Sequence, residues 1–221
     1  MYNPRAFVET DLAVLDRLVA ANPFATLVTV RDGAPVATHL PVLYARDGGR
    51  VVFRGHWARP NPQWRDGGVA LLILQGPDAY VSPSWYPDKE EQARVPTWNY
   101  AVAHVGGTLE VTHESDALGA IVSELSARHE SANGSDWRFE PGRDDHRVQL
   151  KGIVGFRLEA ARLEMKFKLN QNHPEANRRA VIAALSGLPG EAPRAVAALM
   201  RERLGAAVAD DAPTDPSHAE P

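Results

Sequence analysis

Three β-forming runs near the start of the chain are separated by turns too short to hold a crossover. "FATLVTV" (24–30) is followed by "RDGA" and then "PVATHLPVLY" (35–44), and the Asp47-Gly48-Gly49 turn leads into "RVVFRG" (50–55). Strands joined this tightly must pair antiparallel, because a parallel connection needs on the order of a dozen residues. Two further strand-like runs follow, "VALLILQG" (69–76) and "AVAHVGGTLEVTH" (101–113), and two more, "GIVGFRLEA" (152–160) and "RLEMKFKL" (162–169), come late in the chain. The near-unbroken apolar character of "VALLILQG" predicts a strand buried on both faces at the centre of the sheet. Gly106-Gly107 marks a bulge or bend.

Helical periodicity appears only between groups of strands. Thr10 stands where an N-cap is expected, Leu12, Leu15, Leu18 and Val19 then share one face, and Asn22-Pro23 stops the run. Leu118, Ile121, Val122 and Leu125 form a second apolar face, and a polar loop through Asp145 follows. Pro174 suits the first position of a helix continuing as "EANRRAVIAALSGL", and a last helix is expected from Ala192 to Leu204. Because strands and helices do not alternate, the pattern predicts a mainly β, α+β fold. Its core is a small antiparallel barrel of about six to seven strands with peripheral helices and a C-terminal helical hairpin. The expected organisation is a barrel domain over 1–172, a helical segment over 173–206 and, from its acidity and prolines, a disordered tail over 207–221.

With 44% hydrophobic residues the chain can bury a substantial core, and its formal charge of −4 supplies no global basic field for nucleic acid or an anionic membrane. A DNA contact would need a local basic patch or a two-fold assembly. The absence of cysteine removes disulfides, thiol nucleophiles and thiolate metal sites together. The histidines show no metal-ligand spacing, so no metal site is expected, and nothing reads as a hydrolase motif. Neither a signal peptide nor a membrane span is apparent, which suggests a cytoplasmic protein.

The segment "GHWARPNPQW" (55–64) is the densest in chemistry. Arg59 offers a planar fork of donors, His56 and Asn61 add more, and Gly55 permits close backbone approach, the ingredients of an anion site and of phosphate binding above all. The same residues equally suit a proline-stiffened loop with Arg59 stacked on Trp57 or Trp64. His39 lies mid-strand, and Pro41 two residues on removes a ladder donor, which places that strand at an edge or a bend. Trp85-Tyr86 lies within a long loop over 77–97 and Trp98-Asn99-Tyr100 directly follows it, and these aromatics would either stack on a flat ring or pack the core. In "KFKLNQN" (166–172), Lys166 and Lys168 alternate with Phe167 and Leu169, which suits either a solvated strand face or an anionic ligand.

In order along the chain, "MYNPRAF", "HLPVL", "GHWARPNPQW", "QGPDAYVSPSWY", "VPTWNYAVAHVGG" and "KFKLNQN" resemble the PaiB-type, FMN-binding negative transcriptional regulators, over residues 1–172. The family is similar to the split β-barrels of the flavin reductases and pyridoxamine-phosphate oxidases, usually homodimers with FMN at the subunit interface. The resemblance therefore implies an FMN cofactor and a homodimer. Thr38, His39 and Leu40 would run beside the isoalloxazine, and His56, Arg59 and Asn61 would face the phosphate. Trp98, Lys166, Lys168 and Gln171 would complete the pocket from the partner chain. Asn170 and Arg5 depart from the family, which commonly has serine at the first position and histidine or lysine at the second. Two functions are compatible with this set: a flavin-bearing regulator, with Arg178, Arg179, Arg194, Arg201 and Arg203 as a basic helical face, or an FMN-dependent oxidoreductase acting on a small molecule or reduced nicotinamide. A haem-handling barrel is a third.

Overall fold

The structure, a computed structural model, describes residues 1–210. Two compact units divide the chain. The first holds Met1 and residues 9–76 and 102–165, and the second holds residues 2–8, 77–101 and the chain from 166 onward.

The strands are β1 (Val8–Glu9), β2 (Phe24–Arg31), β3 (Ala34–Pro41), β4 (Leu43–Asp47), β5 (Arg50–Ala58), β6 (Val69–Val81), β7 (Thr97–Thr112) and β8 (Ile153–Lys168). They form one open sheet in the order β3-β2-β6-β7-β8-β5-β4, with β1 on β8, so β3 and β4 are its two ends. This is the mainly β, α+β fold expected from the strand runs, and its open sheet agrees with the split barrel that the family resemblance implies. Register is set by apolar alternation. Ala25, Leu27 and Thr29 of β2 are buried, as are Val51, Phe53 and Trp57 of β5, and Trp57 packs on Phe156 at 4.8 Å between ring centroids. Full burial of such side chains contributes roughly 1.5–3 kcal/mol each.

The strand count differs from the sequence expectation for local reasons. "PVATHLPVLY" splits into β3 and β4 at Val42, whose N–H makes a last bond in the β2-β3 register, to Pro23 O at 2.9 Å, before the chain pairs with β5 from Leu43 onward. The two late runs merge into the single strand β8, since Ala160 and Ala161 interrupt the apolar pattern but not the backbone path. β6 continues past Pro77 to Val81, and β7 starts at Thr97, so Trp98 and Tyr100 are strand residues and the expected loop over 77–97 shrinks to 82–96.

In the first unit, α1 (Leu12–Ala21) is capped by Asp11, not Thr10: the Asp11 carboxylate accepts from Ala13 N, while Thr10 N and Asp11 N both donate to Glu9 Oε1. α2 (Ser115–Ala132) buries Leu118, Ile121 and Leu125, with Ile121 and Leu125 against Leu43 of β4. The polar loop expected through Asp145 contains a short helix, α3 (Asp144–Gln149), which has no buried residue and hence no apolar periodicity to announce it. In the second unit, α4 (Glu175–Gly187) and α5 (Glu191–Asp210) pack as a helical hairpin, with Val181, Ile182 and Leu185 of α4 and Val196, Ala197 and Met200 of α5 buried. Pro174 is the N-cap of α4, one position before the helix starts. Helix α5 runs to Asp210, and residues 211–221 of the expected tail lie outside the described residues. No helix among the described residues is long and apolar enough to cross a membrane.

Gly106-Gly107 is a site of close strand approach: a Cβ on Gly107 would sit 2.1 Å from Glu159 O, whereas one on Gly106 would meet nothing nearer than Arg162 Nε at 3.6 Å. Gly107→Ala is therefore expected to cost about 3 kcal/mol, the upper range of overpacking, and Gly106→Ala less than about 1 kcal/mol. Urea unfolding of both variants checks this, and equal stabilities would refute the strand spacing.

Candidate functional site

The segment leaving β5 is held from two sides. Towards the β2-β3 hairpin, Asn61 Nδ2 donates to Thr38 Oγ1 at 3.0 Å, and Gln63 Nε2 donates to Leu27 O at 3.0 Å and Val36 O at 2.9 Å. The Gln63 carbonyl accepts from Trp57 Nε1 at 2.9 Å, so a fully buried amide ties the segment to both the hairpin and β5. Asp66 closes the segment by accepting from Thr29 Oγ1 at 2.6 Å and Arg31 Nε at 2.7 Å. Burial pushes the Asp66 carboxyl up, but the bonds from Arg31 and Thr29 outweigh it and hold it below the usual range. On the other side, Arg59 Nε and Nη2 donate to Lys151 O and Ile153 O, and Arg59 N donates to Gly152 O, fixing the start of β8.

Arg59 thus stacks on neither Trp57 nor Trp64. Trp57 is buried, and Trp64 carries the Arg65 guanidinium 4.4 Å from its ring centroid. Gly55 admits the Phe156 ring, whose nearest carbon would lie 2.7 Å from an added Cβ. Beside Arg59 opens a cavity of about 650 Å³ lined also by His113, Ser115, Asp144, Arg147 and Lys151. Three cationic side chains face one carboxylate there.

Thr38, His39 and Leu40 lie on β3, which has β2 as its one ladder neighbour and so leaves an outer backbone edge free of sheet pairing among the described residues. Leu40 is buried, and the exposed His39 shares a 2.9 Å hydrogen bond between its Nδ1 and Thr26 Oγ1. His56 is half-buried on β5, and its Nδ1 is buried without a hydrogen-bond partner. Burial pushes its pKa below the ordinary histidine value, so at neutral pH the ring is uncharged.

The remaining expected site residues belong to the second unit. Lys166 is buried, donates to Tyr2 O at 3.1 Å and lies over the rings of Tyr2 and Tyr100. Lys168 donates to Thr97 Oγ1 at 2.5 Å and Trp98 O at 2.6 Å. The Gln171 amide bonds Phe167 O and Leu169 N within its own turn. Trp98 is half-exposed, its ring edge-on to Tyr80. Neither lysine is a solvated strand residue.

A family model described as "Putative FMN-binding domain" matches residues 1–162. The chain belongs to this family. It is 33% identical over 210 residues to "Protease synthase and sporulation protein PAI 2" of Bacillus subtilis, covering 92% of this chain and 98% of that one, which makes it a member of the PaiB-type branch of the FMN-binding family. Among solved structures it is similar in fold to a FAD and heme binding protein from Mycobacterium smegmatis (TM-score 0.53, 22% identity, 86% of this chain and 79% of that one). It is also similar to a conserved hypothetical protein from Mycobacterium tuberculosis (TM-score 0.54, 16% identity, 79% and 95%).

FMN is the cofactor of this family, and the donor set of the first unit fits it. The orphaned His56 Nδ1 and the Arg59 guanidinium with one nitrogen uncommitted suit a phosphate, while the cavity beside Arg59, which Arg147 and Lys151 also line, is lined by neither His56 nor Asn61. The open edge of β3 suits the rim of a planar heterocycle. Gln63, Asp66, His113, Arg147 and Lys151 were not singled out from the sequence. The capping pattern Asn61-Pro62-Gln63, in which the Asn61 side chain accepts from Gln63 N, was a readable signal for the first of these.

Gln63→Leu keeps the volume but strands Leu27 O, Val36 O and the Trp57 N–H without partners. It is expected to destabilise the protein by about 2–4 kcal/mol, measured as a lowered urea midpoint; wild-type stability would refute this role. His56 generates a pH dependence. Its folded pKa is lowered, so the unfolded chain binds the extra proton, and stability falls as pH drops through about 6.5, the unfolded value. His56→Gln should flatten that part of the stability curve relative to wild type.

Proposed function

We propose that the protein binds FMN in its first unit. The isoalloxazine lies along the outer edge of β3 at Thr38, His39 and Leu40, and the phosphate lies against His56, Arg59 and Asn61. The observation that carries this reading is the Asn61–Thr38 hydrogen bond, which places the donor-rich segment directly beside an edge strand that has no second ladder partner among the described residues. Bound FMN would supply redox chemistry, while the chain supplies position and charge. The half-exposed Trp98 of a second copy is the apolar surface we assign to closing the site in a homodimer. Lys166, Lys168 and Gln171 hydrogen-bond groups of their own second unit, and we assign them no flavin contact.

The name of the Bacillus subtilis relative concerns protease synthesis and sporulation, and from the family resemblance we assign this chain a regulatory role of the PaiB-like, negative transcriptional kind, exercised in the cytoplasm. Among the C-terminal arginines one charge is cancelled by a carboxylate and two are held by neutral groups. Arg179 pairs with Glu175, Arg201 bonds Ser186, and Arg203 packs over Phe167. Any operator contact then belongs to the assembled dimer and shows as a gel shift that weakens with salt. An oxidoreductase would instead show rapid reduction of bound FMN by a nicotinamide donor.

Purified protein incubated with FMN should show a flavin spectrum and saturable binding in calorimetry, and Arg59→Ala should weaken binding by about tenfold or more. His56→Ala, which leaves the Arg59 carbonyl bonds in place, should weaken it as well. A colourless protein with no calorimetric response to FMN would overturn the proposal, and a haem Soret band would replace FMN with haem.

A further inference from the structure

The second unit contains a cavity of about 310 Å³ that the flavin reading does not use. Its walls include Phe7, Val95, Lys168, Asn170, Asn172 and His173. Tyr86 also lines it: its hydroxyl accepts from Asn170 Nδ2 at 2.8 Å, and its ring is stacked on His173 at 5.0 Å with the planes 8° apart. Asn170 holds a left-handed φ of 61° to make this contact. A non-glycine residue in that region costs free energy, on the order of 1 kcal/mol, and persists where its surroundings require it.

The charges around this cavity are unevenly matched. Arg94 is neutralised by Asp88 through two bonds, at 3.0 and 2.5 Å, and Asp88 is completed by Asn177 Nδ2 at 2.8 Å. Those bonds hold the Asp88 carboxyl down at about 2, so it stays charged as Arg94's counter-ion. Lys168 forms no ion pair among the described residues, and both of its acceptors, Thr97 Oγ1 and Trp98 O, are neutral. One proton of its ammonium is left unassigned, because an ammonium has three. His173 Nδ1 is also buried without a partner. A partly buried cation with no counter-ion among the described residues and a buried ring nitrogen with no protein partner meet at one small cavity with an apolar wall, a set of groups that an anion with an apolar body would complement.

We propose that this cavity binds a small monocarboxylate with a short apolar body. The carboxylate would meet the Lys168 ammonium and the Asn172 amide, and the body would lie against Phe7 and Val95. One uncompensated charge matches a carboxylate and not the dianion of a phosphate. The volume stands at the lower limit of the usual ligand-pocket range of roughly 300–1,000 Å³, which favours a ligand of a few carbons over a nucleotide.

The test is calorimetric titration of the full-length, FMN-incubated protein with sodium butanoate, sodium benzoate and inorganic phosphate, with the flavin spectrum recorded on the same samples. The expected result is a Kd on the order of 1 mM or tighter for at least one carboxylate and no heat from phosphate. Lys168→Met should lose about tenfold or more of that affinity, and Asn172→Ala, a change at an exposed turn, several-fold. Thermal melts establish that each variant is folded, and where Lys168→Met does not fold the exposed Asn172→Ala decides. No carboxylate binding to wild type, unchanged affinity in the folded variants, or preferential binding of phosphate would overturn the proposal. Carboxylate binding by protein that takes up no flavin would leave it standing while removing the flavin reading, so the two fail separately.

Discussion

The geometry of the first unit depends on one buried amide. Gln63 donates to two carbonyls of the β2-β3 hairpin and accepts from the Trp57 indole, and nothing else on the segment after β5 reaches as deep. A buried amide left unpaired costs more than its bonds contribute when made, so the three interactions act as a single constraint on register. Asn61 and Asp66 repeat the attachment on either side of it, to Thr38 and to Thr29 with Arg31. Shifting the segment by one residue would break all of these together. That fixes Asn61 relative to the edge of β3, as the carbonyls of Lys151 and Ile153 fix Arg59, and the proposed site would spend less of its binding energy on ordering.

Most of the sheet was legible because its strands alternate and its turns are short. The misreadings share a cause: where a strand is decided by long-range pairing, its own residues carry no signal. Ala160 and Ala161 look like a break, yet the backbone runs straight through them as part of β8. Trp98 and Tyr100 look like loop aromatics because of Pro96, yet they open β7. Helix α3 was missed for the opposite reason, since it buries nothing and therefore shows no periodicity.

The candidate site was legible as residue types and not as contacts. Arg59 was marked by its chemistry, but its partners, the carbonyls of Lys151 and Ile153, are 92 and 94 residues away and are backbone atoms of no distinctive type. The same holds for Lys166, whose acceptor is Tyr2 O, 164 residues distant. A sequence pattern can nominate a donor; it cannot say whether a main-chain oxygen across the fold will use that donor. Gln63, the residue the segment most depends on, drew least notice because a glutamine beside two aromatics has no motif of its own.

The net charge of −4 hides how the cations are distributed. Arg31, Arg50 and Arg94 each face a carboxylate, and their charge is cancelled locally. Arg59, Lys166 and Lys168 are held by neutral oxygens instead. A carbonyl satisfies a donor's geometry without cancelling its charge, so each of these groups is positioned as firmly as an ion pair would position it while keeping its positive potential. Replacing a carboxylate partner by a carbonyl is therefore a way to build anion affinity into an acidic protein at chosen points. The side chains so treated sit where the sequence had already placed phosphate and anion chemistry, in "GHWARPNPQW" and "KFKLNQN".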